Sequence, residues 1–279
     1  MRRVRHVFLL TIGVALAVAM AVMLGGCSGP SAERSSVDRP VGDDTLPRAL
    51  RATRAVESGR MEVTTTVTGL AEVPDPPPGG RVTVAVHRVA FNRQARRVAV
   101  ETDMSGVARA LGAGEAGGGG GAAPGVDLSV PARMVAVDDS VYAQGGPMAG
   151  AVGRTPGDWV EIDRSRLVGQ GPGSDTAALV LDPFGPFDVV GDAGADVRRV
   201  GDAELRGTPV THLVARVGSD RGGGAAPLDV WIDADGVIRR LQLRLRSGSA
   251  GGTGELVTTV ELFDIGTPVD IAPPAGADR

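Results

Sequence analysis

The sequence predicts an α+β domain built on one large, curling antiparallel β-sheet with a few helices. Three observations predict it. At least eight strand-like segments follow one another between residues 61 and 265. Short turns carrying Gly, Asp or Asn join most of them, which suits hairpins rather than crossovers. Strands do not alternate with helix-length amphipathic patterns, so a doubly wound βαβ fold is disfavoured. A long sheet with a helix in front of it can curl around an internal apolar space.

The first element is a helix-compatible stretch at residues 46–58. Thr45 is placed to cap it, Pro47 suits its first turn, and Gly59 could stop it. Leu46, Leu50 and Thr53 make a weak stripe for its buried face. Strands follow at residues 61–69, 81–91 and 97–103, the second and third joined by a turn at Asn92 and Arg93. Residues 132–137 and 141–143 read as a hairpin turning on Asp138 and Asp139. Another short strand is expected at 158–163. Residues 174–190 hold one or two short helices, interrupted where Pro183 and Pro186 fall. Strands then resume at 208–217, 228–233, 237–246 and 255–265. In 228–233 the alternation is clean: Leu228, Val230 and Ile232 share one face, Asp229, Trp231 and Asp233 the other. Residues 112–126 are glycine-rich, but they lack phosphate-loop spacing and a following Lys-Ser or Lys-Thr, so they read as a loop.

Composition narrows the function. The 29 basic residues are all arginine, against 33 acidic ones, for a net charge of −4. That argues against nucleic acid as the main partner. One cysteine excludes an internal disulfide framework, a four-cysteine zinc site and a CxxC redox pair. Aromatic residues are 3% of the chain, so the core must be mostly Val, Leu and Ala.

The N-terminus reads as an export signal. Three arginines lie within residues 1–5, and residues 7–24 are an uncharged, mostly apolar run. Leu24, Gly25, Gly26 and Cys27 follow, and Cys27 is the only cysteine of the chain. An uncleaved anchor helix is the alternative, because a membrane span needs about 20 apolar residues. Leu24-Gly25-Gly26-Cys27 resembles the lipobox of bacterial lipoproteins. That resemblance implies a Cys27 carrying diacylglyceryl and palmitate-type acyl chains, with the signal cut before it. Two chains on one cysteine anchor stably where one is marginal. Residues 1–26 hold three arginines and no acid, so the remainder has 26 arginines against 33 acids. An acidic domain is repelled by an anionic membrane, and lipid rather than charge should hold it there.

An ordered series of patterns resembles the actinobacterial LppX/LprAFG lipoproteins, related in fold to the carriers LolA and LolB. After the lipobox come LRATRAVE, SGRMEVTTTVTG, VDDSVYAQG, GDWVEIDRS, VGDAELRGTPVTHLVARV and PLDVWIDADGVIRRLQLRL. The last two are the most specific, and together the patterns span residues 45–272. The resemblance implies a half-open β-barrel: a strongly curved antiparallel sheet with helices across its concave side and an apolar cavity between. It further implies a non-catalytic envelope protein that binds acylated lipid or glycolipid and carries or presents it. The alternative is a structural or signalling module of the same fold with a collapsed cavity. The expected organisation is a signal at 1–26, a lipidated tether at 27–44, one domain at 45–272 and a loose tail at 273–279. Location at the outer face of the cell membrane, as a monomer without cofactor, goes with it.

Other candidates are weaker. His87 and His212 have no neighbour at a spacing that suggests catalysis or metal binding, so both read as structural. Asp233-Ala234-Asp235-Gly236 lacks the further oxygen ligand and closing Glu of a calcium loop, and reads as a turn. Asp229 and Asp233 could be paired carboxylates, although a wet sheet edge explains them more simply. No GxSxG is present. Tyr142, Trp159 and Trp231 either pack the sheet or line a cavity or its mouth. Arg239, Arg240, Arg244 and Arg246 either face anionic head groups or form a wet face laced with acids. No catalytic residue and no metal ligand is expected.

Overall fold

The computed structural model describes residues 39–42, 44–69, 80–110, 130–145, 157–167, 174–194, 196–218, 225–249 and 252–275. The expected signal at 1–26, the lipobox-like residues with Cys27 and the glycine-rich 112–126 segment lie outside them. Among the described residues, no helix is long and apolar enough to cross a membrane.

Twelve strands form one open antiparallel sheet in the order β1-β8-β9-β10-β11-β12-β2-β3-β4-β5-β6-β7. They are β1 (Arg39–Pro40), β2 (Ser58–Thr68), β3 (Arg81–Asn92), β4 (Arg97–Asp103), β5 (Ala132–Val137), β6 (Ser140–Gln144), β7 (Val160–Ile162), β8 (Arg198–Leu205), β9 (Thr208–Val217), β10 (Ala226–Asp233), β11 (Ile238–Ser249) and β12 (Gly252–Phe263). Among the described residues there are three α-helices: α1 (Thr45–Arg54), α2 (Ser105–Ala110) and α3 (Ser174–Leu181). Short 3-10 helices cover Arg164–Leu167 and Gly185–Asp192.

A flat sheet of twelve strands would be about 50 Å across. Here one buried apolar cluster joins Ile162 of β7 at one end with Leu213 and Ala215 of β9 near the other. The same cluster takes in α1, α3 and the 3-10 helix at Gly185–Asp192, so the sheet curls around a helical layer. Bulges assist the curl, because an extra residue bends a strand and increases its twist. They occur where β2 meets β3 at Thr65/Thr66, where β8 meets β9 at Arg199/Gly201, and where β10 meets β11 at Trp231/Ile232.

Local sequence explains the turns. The β5–β6 hairpin closes through Val137 and Ser140 with Asp138 at φ 54°, a conformation Asp tolerates. The β8–β9 hairpin closes through Leu205 and Thr208, with Arg206 at φ 50° and Gly207 at φ 78°. Two positive φ values are what a tight hairpin turn requires. Gly106 in α2 lies so close to β3 that an added Cβ would sit 1.8 Å from the Thr83 carbonyl oxygen, so only glycine fits.

Some sequence expectations need correction. The first helix ends at Arg54, not Ser58, because Ser58 and Gly59 already belong to β2. Its N-cap is Asp44, which makes no side-chain capping bond, and Thr45 is inside the helix. Thr53 is fully buried: its hydroxyl donates to the Ala49 carbonyl at 2.7 Å and accepts from the Ile238 amide at 2.9 Å, fixing α1 to β11. Strand β8 was not expected. Ahead of the helix, Arg39 and Pro40 pair with β8 and the Val41 amide donates to the Val197 carbonyl at 3.2 Å.

Candidate functional site

Strand alternation gives the sheet an inner and an outer face. Across β4, β3, β2, β12, β11, β10 and β9, one inner row reads Thr102, His87, Val63, Val260, Leu241, Val230 and Leu213. Each of these side chains is buried. The next row is half-buried at Ala85, Thr65 and Thr258, although it points the same way, and closes on buried Leu243 and Leu228. Beyond it lies a second apolar cluster, Val67, Val82, Val84 and Leu256, with Val107 of α2 against it. The main cluster and this satellite share Leu245 as a partly buried neighbour. An apolar face thus continues past the helical layer, with a small-residue gap between its two parts.

The middle of the helical layer is dense. Phe91, Phe184 and Phe187 are buried there, with the Phe91 and Phe184 rings 5.1 Å apart and edge to face. One polar chain crosses this apolar interior. His87 Nδ1 lies 2.9 Å from the Thr102 hydroxyl, which lies 2.8 Å from the Thr176 hydroxyl on α3. Burial pushes the His87 imidazole down to about 4, because the site stabilises no positive charge.

The outer face carries a charged lattice. His212 Nε2 lies 2.8 Å from Asp229 Oδ1, and Arg244 Nη1 lies 2.8 Å from Asp229 Oδ2. Asp229 is 3% exposed, so its carboxyl is buried between the His212 ring and the Arg244 guanidinium rather than lying on a wet edge. The His212 ring stacks on Trp231 at 4.3 Å, and Arg240 lies 5.6 Å from the same indole. Glu261 accepts from Arg240 at 2.8 Å and from Arg206 at 3.0 Å. Burial would raise its carboxyl, but these two guanidinium bonds outweigh that and hold it below its ordinary value. Arg239 pairs with Asp233 at 2.7 Å and Arg246 with Glu255 at 3.6 Å. The four arginines of the expected basic patch therefore all have acidic partners.

The aromatic candidates separate. Trp231 and Tyr142 stand on the outer face, since their strand neighbours Val230 and Val141 are the inward, buried ones. Neither side chain points beneath the helices. Trp159 is half-buried at the entrance to β7. Asp233 is a turn residue: its Oδ1 accepts from the Asp235 and Val237 amides at 3.0 and 2.9 Å. No group of acidic, His or Cys side chains suited to a metal occurs among the described residues. A cleft of about 250 Å³ opens beside the β8–β9 turn, lined by Arg206, Arg239, Glu261 and Asp264 among others. It is smaller than the roughly 300–1,000 Å³ of typical ligand pockets.

Sequence reasoning missed the His212–Asp229 pair and the His87–Thr102–Thr176 chain. The first joins residues on neighbouring strands, and the second joins two strands and a helix. Only the pairing register could have brought them together.

No protein-family model and no curated protein sequence matches this chain. Among solved structures, it is similar to the Mycobacterium tuberculosis lipoprotein LppX at 14% identity, covering 82% of this chain and 97% of that one, with a TM-score of 0.44. It is similar to LprF from Mycobacterium bovis at 16% identity, covering 85% and 97%, with a TM-score of 0.44. A LolA superfamily protein from Nitrosomonas europaea is similar at 11% identity over 84% and 96%, with a TM-score of 0.27. The strand order and register described above define the fold independently of these superpositions.

Proposed function

We propose that this chain is an exported, lipid-anchored envelope protein that binds acyl lipid against the inner face of its sheet and carries or presents it. In this reading residues 1–26 are the signal, Cys27 bears the anchor, and the domain sits at the outer face of the cell membrane as a monomer. The observation that carries it is the half-buried row Ala85, Thr65 and Thr258 between two apolar clusters on one inner face. Small side chains leave room there, with aliphatic walls on both sides. The driving force is elementary: each methylene withdrawn from water is worth about 0.8 kcal/mol, so an acyl chain seeks a dry face. The Leu24-Gly25-Gly26-Cys27 sequence supports the anchor. The bound lipid is expected to be an acylated lipid or glycolipid of the envelope, and the domain to be non-enzymatic.

A second reading is favoured by one observation. Phe184 and Phe187 of the helical layer pack down onto Phe91 of β3, as they would in a collapsed module with a structural or signalling role. One experiment separates the two. The full chain is expressed with its export signal, purified from membranes, and its released lipids and N-terminal peptide are analysed by mass spectrometry. The carrier reading expects a diacylated Cys27 and a second, non-covalent acyl lipid in near-stoichiometric amount. An acylated Cys27 with no second lipid would favour the collapsed module.

A further inference from the structure

We propose that His87, Thr102 and Thr176 form a latch that holds helix α3 on the sheet and lets go in acid. The geometry points to it. The three side chains are buried, come from β3, β4 and α3, and lie 2.9 and 2.8 Å apart in series. Helix α3 otherwise meets the sheet through apolar side chains such as Ala177, Leu179 and Val180, which confer adhesion but little registration. A hydrogen-bonded chain in an apolar interior is directional, and leaving one of its members unpaired is costly. It therefore fixes where the helix sits.

Protons act on this chain through one group. Thr102 lies in the middle, so it accepts one bond and donates the other. Neutral His87 fits either polarity of the chain. The imidazolium fits only one, with Nδ1 donating, and it adds a buried charge. Around His87 the inner face presents Ala85 and Val89 on its own strand, Val63 on β2, and Val100 and Thr102 on β4. Helix α3 contributes Thr176, and α2 meets β3 further along, with Gly106 against Thr83. None of these groups is charged, so among the described residues nothing compensates an imidazolium while the helix is closed. Burial accordingly holds the closed-state imidazole at about 4, against 6.5 for a free one. Once α3 lifts, His87 meets water and protonates normally. Acid thus pulls the equilibrium toward the open helix. At pH 5 the two values translate into a bias of about thirtyfold relative to neutral pH. Access to the inner face would follow, whether its occupant is a lipid or there is no ligand at all, so the latch stands or falls apart from the lipid reading.

Amide hydrogen exchange on the full chain in detergent tests it, followed peptide by peptide and corrected for the intrinsic pH dependence of exchange. Residues 174–182 are expected to exchange about thirtyfold faster at pH 5 than at pH 7.5. Residues 208–217 and 226–233 serve as the reference for global unfolding, which the same buried imidazole also favours in acid, so they are expected to stay slower than residues 174–182 at both pH values. His87→Gln should lose the acid response, Thr176→Val should exchange fast in residues 174–182 at both pH values, and Thr176→Ser should restore the native pattern. If Thr176→Val fails to fold, His87→Gln decides alone. Residues 174–182 exchanging no faster than the reference peptides, no rise in the native chain, or a rise that persists in His87→Gln would overturn the latch.

Discussion

The two histidines of the described sheet sit on opposite faces, and their surroundings give them opposite chemistry. His87 points inward, is 4% exposed and has two hydroxyls in series for company. His212 points outward, with a carboxylate at one nitrogen and an indole against its ring. The inner face excludes charge and uses hydroxyls to place a helix. The outer face gathers charge and neutralises it pairwise, from Asp229 and Arg244 to Arg206, Arg240 and Glu261. A curled sheet therefore separates two jobs by strand parity alone: an apolar concavity within, and a self-compensated polar lattice without.

The sharpest way to break this contrast is to open the inner face. Phe187→Ala removes a fully buried ring at the centre of the helical layer and is expected to cost about 3–5 kcal/mol of unfolding free energy. Denaturant titration at pH 7.5 would register it as a lower midpoint. The next effect is the acid response of His87. Its folded value is lowered, so between pH 6.5 and 4 the unfolded chain binds the extra proton. Its contribution is fully present above pH 6.5 and is lost as pH falls toward 4, by about 3 kcal/mol. His87→Gln should flatten that part of the stability–pH curve.

On the outer face, Asp229→Ala leaves Arg244 and His212 without their shared anion. Both side chains retain some solvent, so the expected cost is about 1–2 kcal/mol, and Asp229→Asn should cost less. A loss as large as that of Phe187→Ala would mean that the outer lattice, not the inner face, carries the stability. The smallest effect belongs to the exposed pair Arg96–Asp139, where Arg96→Ala should leave the thermal midpoint unchanged within error.

Much of this division could be read from the sequence. The alternation in residues 228–233 already sets Trp231 opposite Leu228, Val230 and Ile232, and the hairpin turning on Asp138 and Asp139 occurs as expected. Strand β8 could not be read, because its residues are exposed or half-buried on both faces and alternation appears only where one face is buried. The row Ala85, Thr65 and Thr258 was hidden by the bulge that shifts the inward positions of β3 from Val82 to His87, Val89 and Phe91. The partners of His212 and His87 depend on register and on helix docking, and neither has a local signature.

The central claim is that acyl chains lie on the inner face between its two apolar clusters. A photoactivatable diazirine fatty acid, fed to cells making the full chain and crosslinked in intact membranes, tests it most directly. Crosslinks are expected in peptides from residues 58–68, 81–92 and 252–263, and to be lost when Thr65 and Ala85 are both replaced by Leu. Labelling confined to the outward-facing residues of these strands, or no labelling of the domain beyond the Cys27 peptide, would contradict the account.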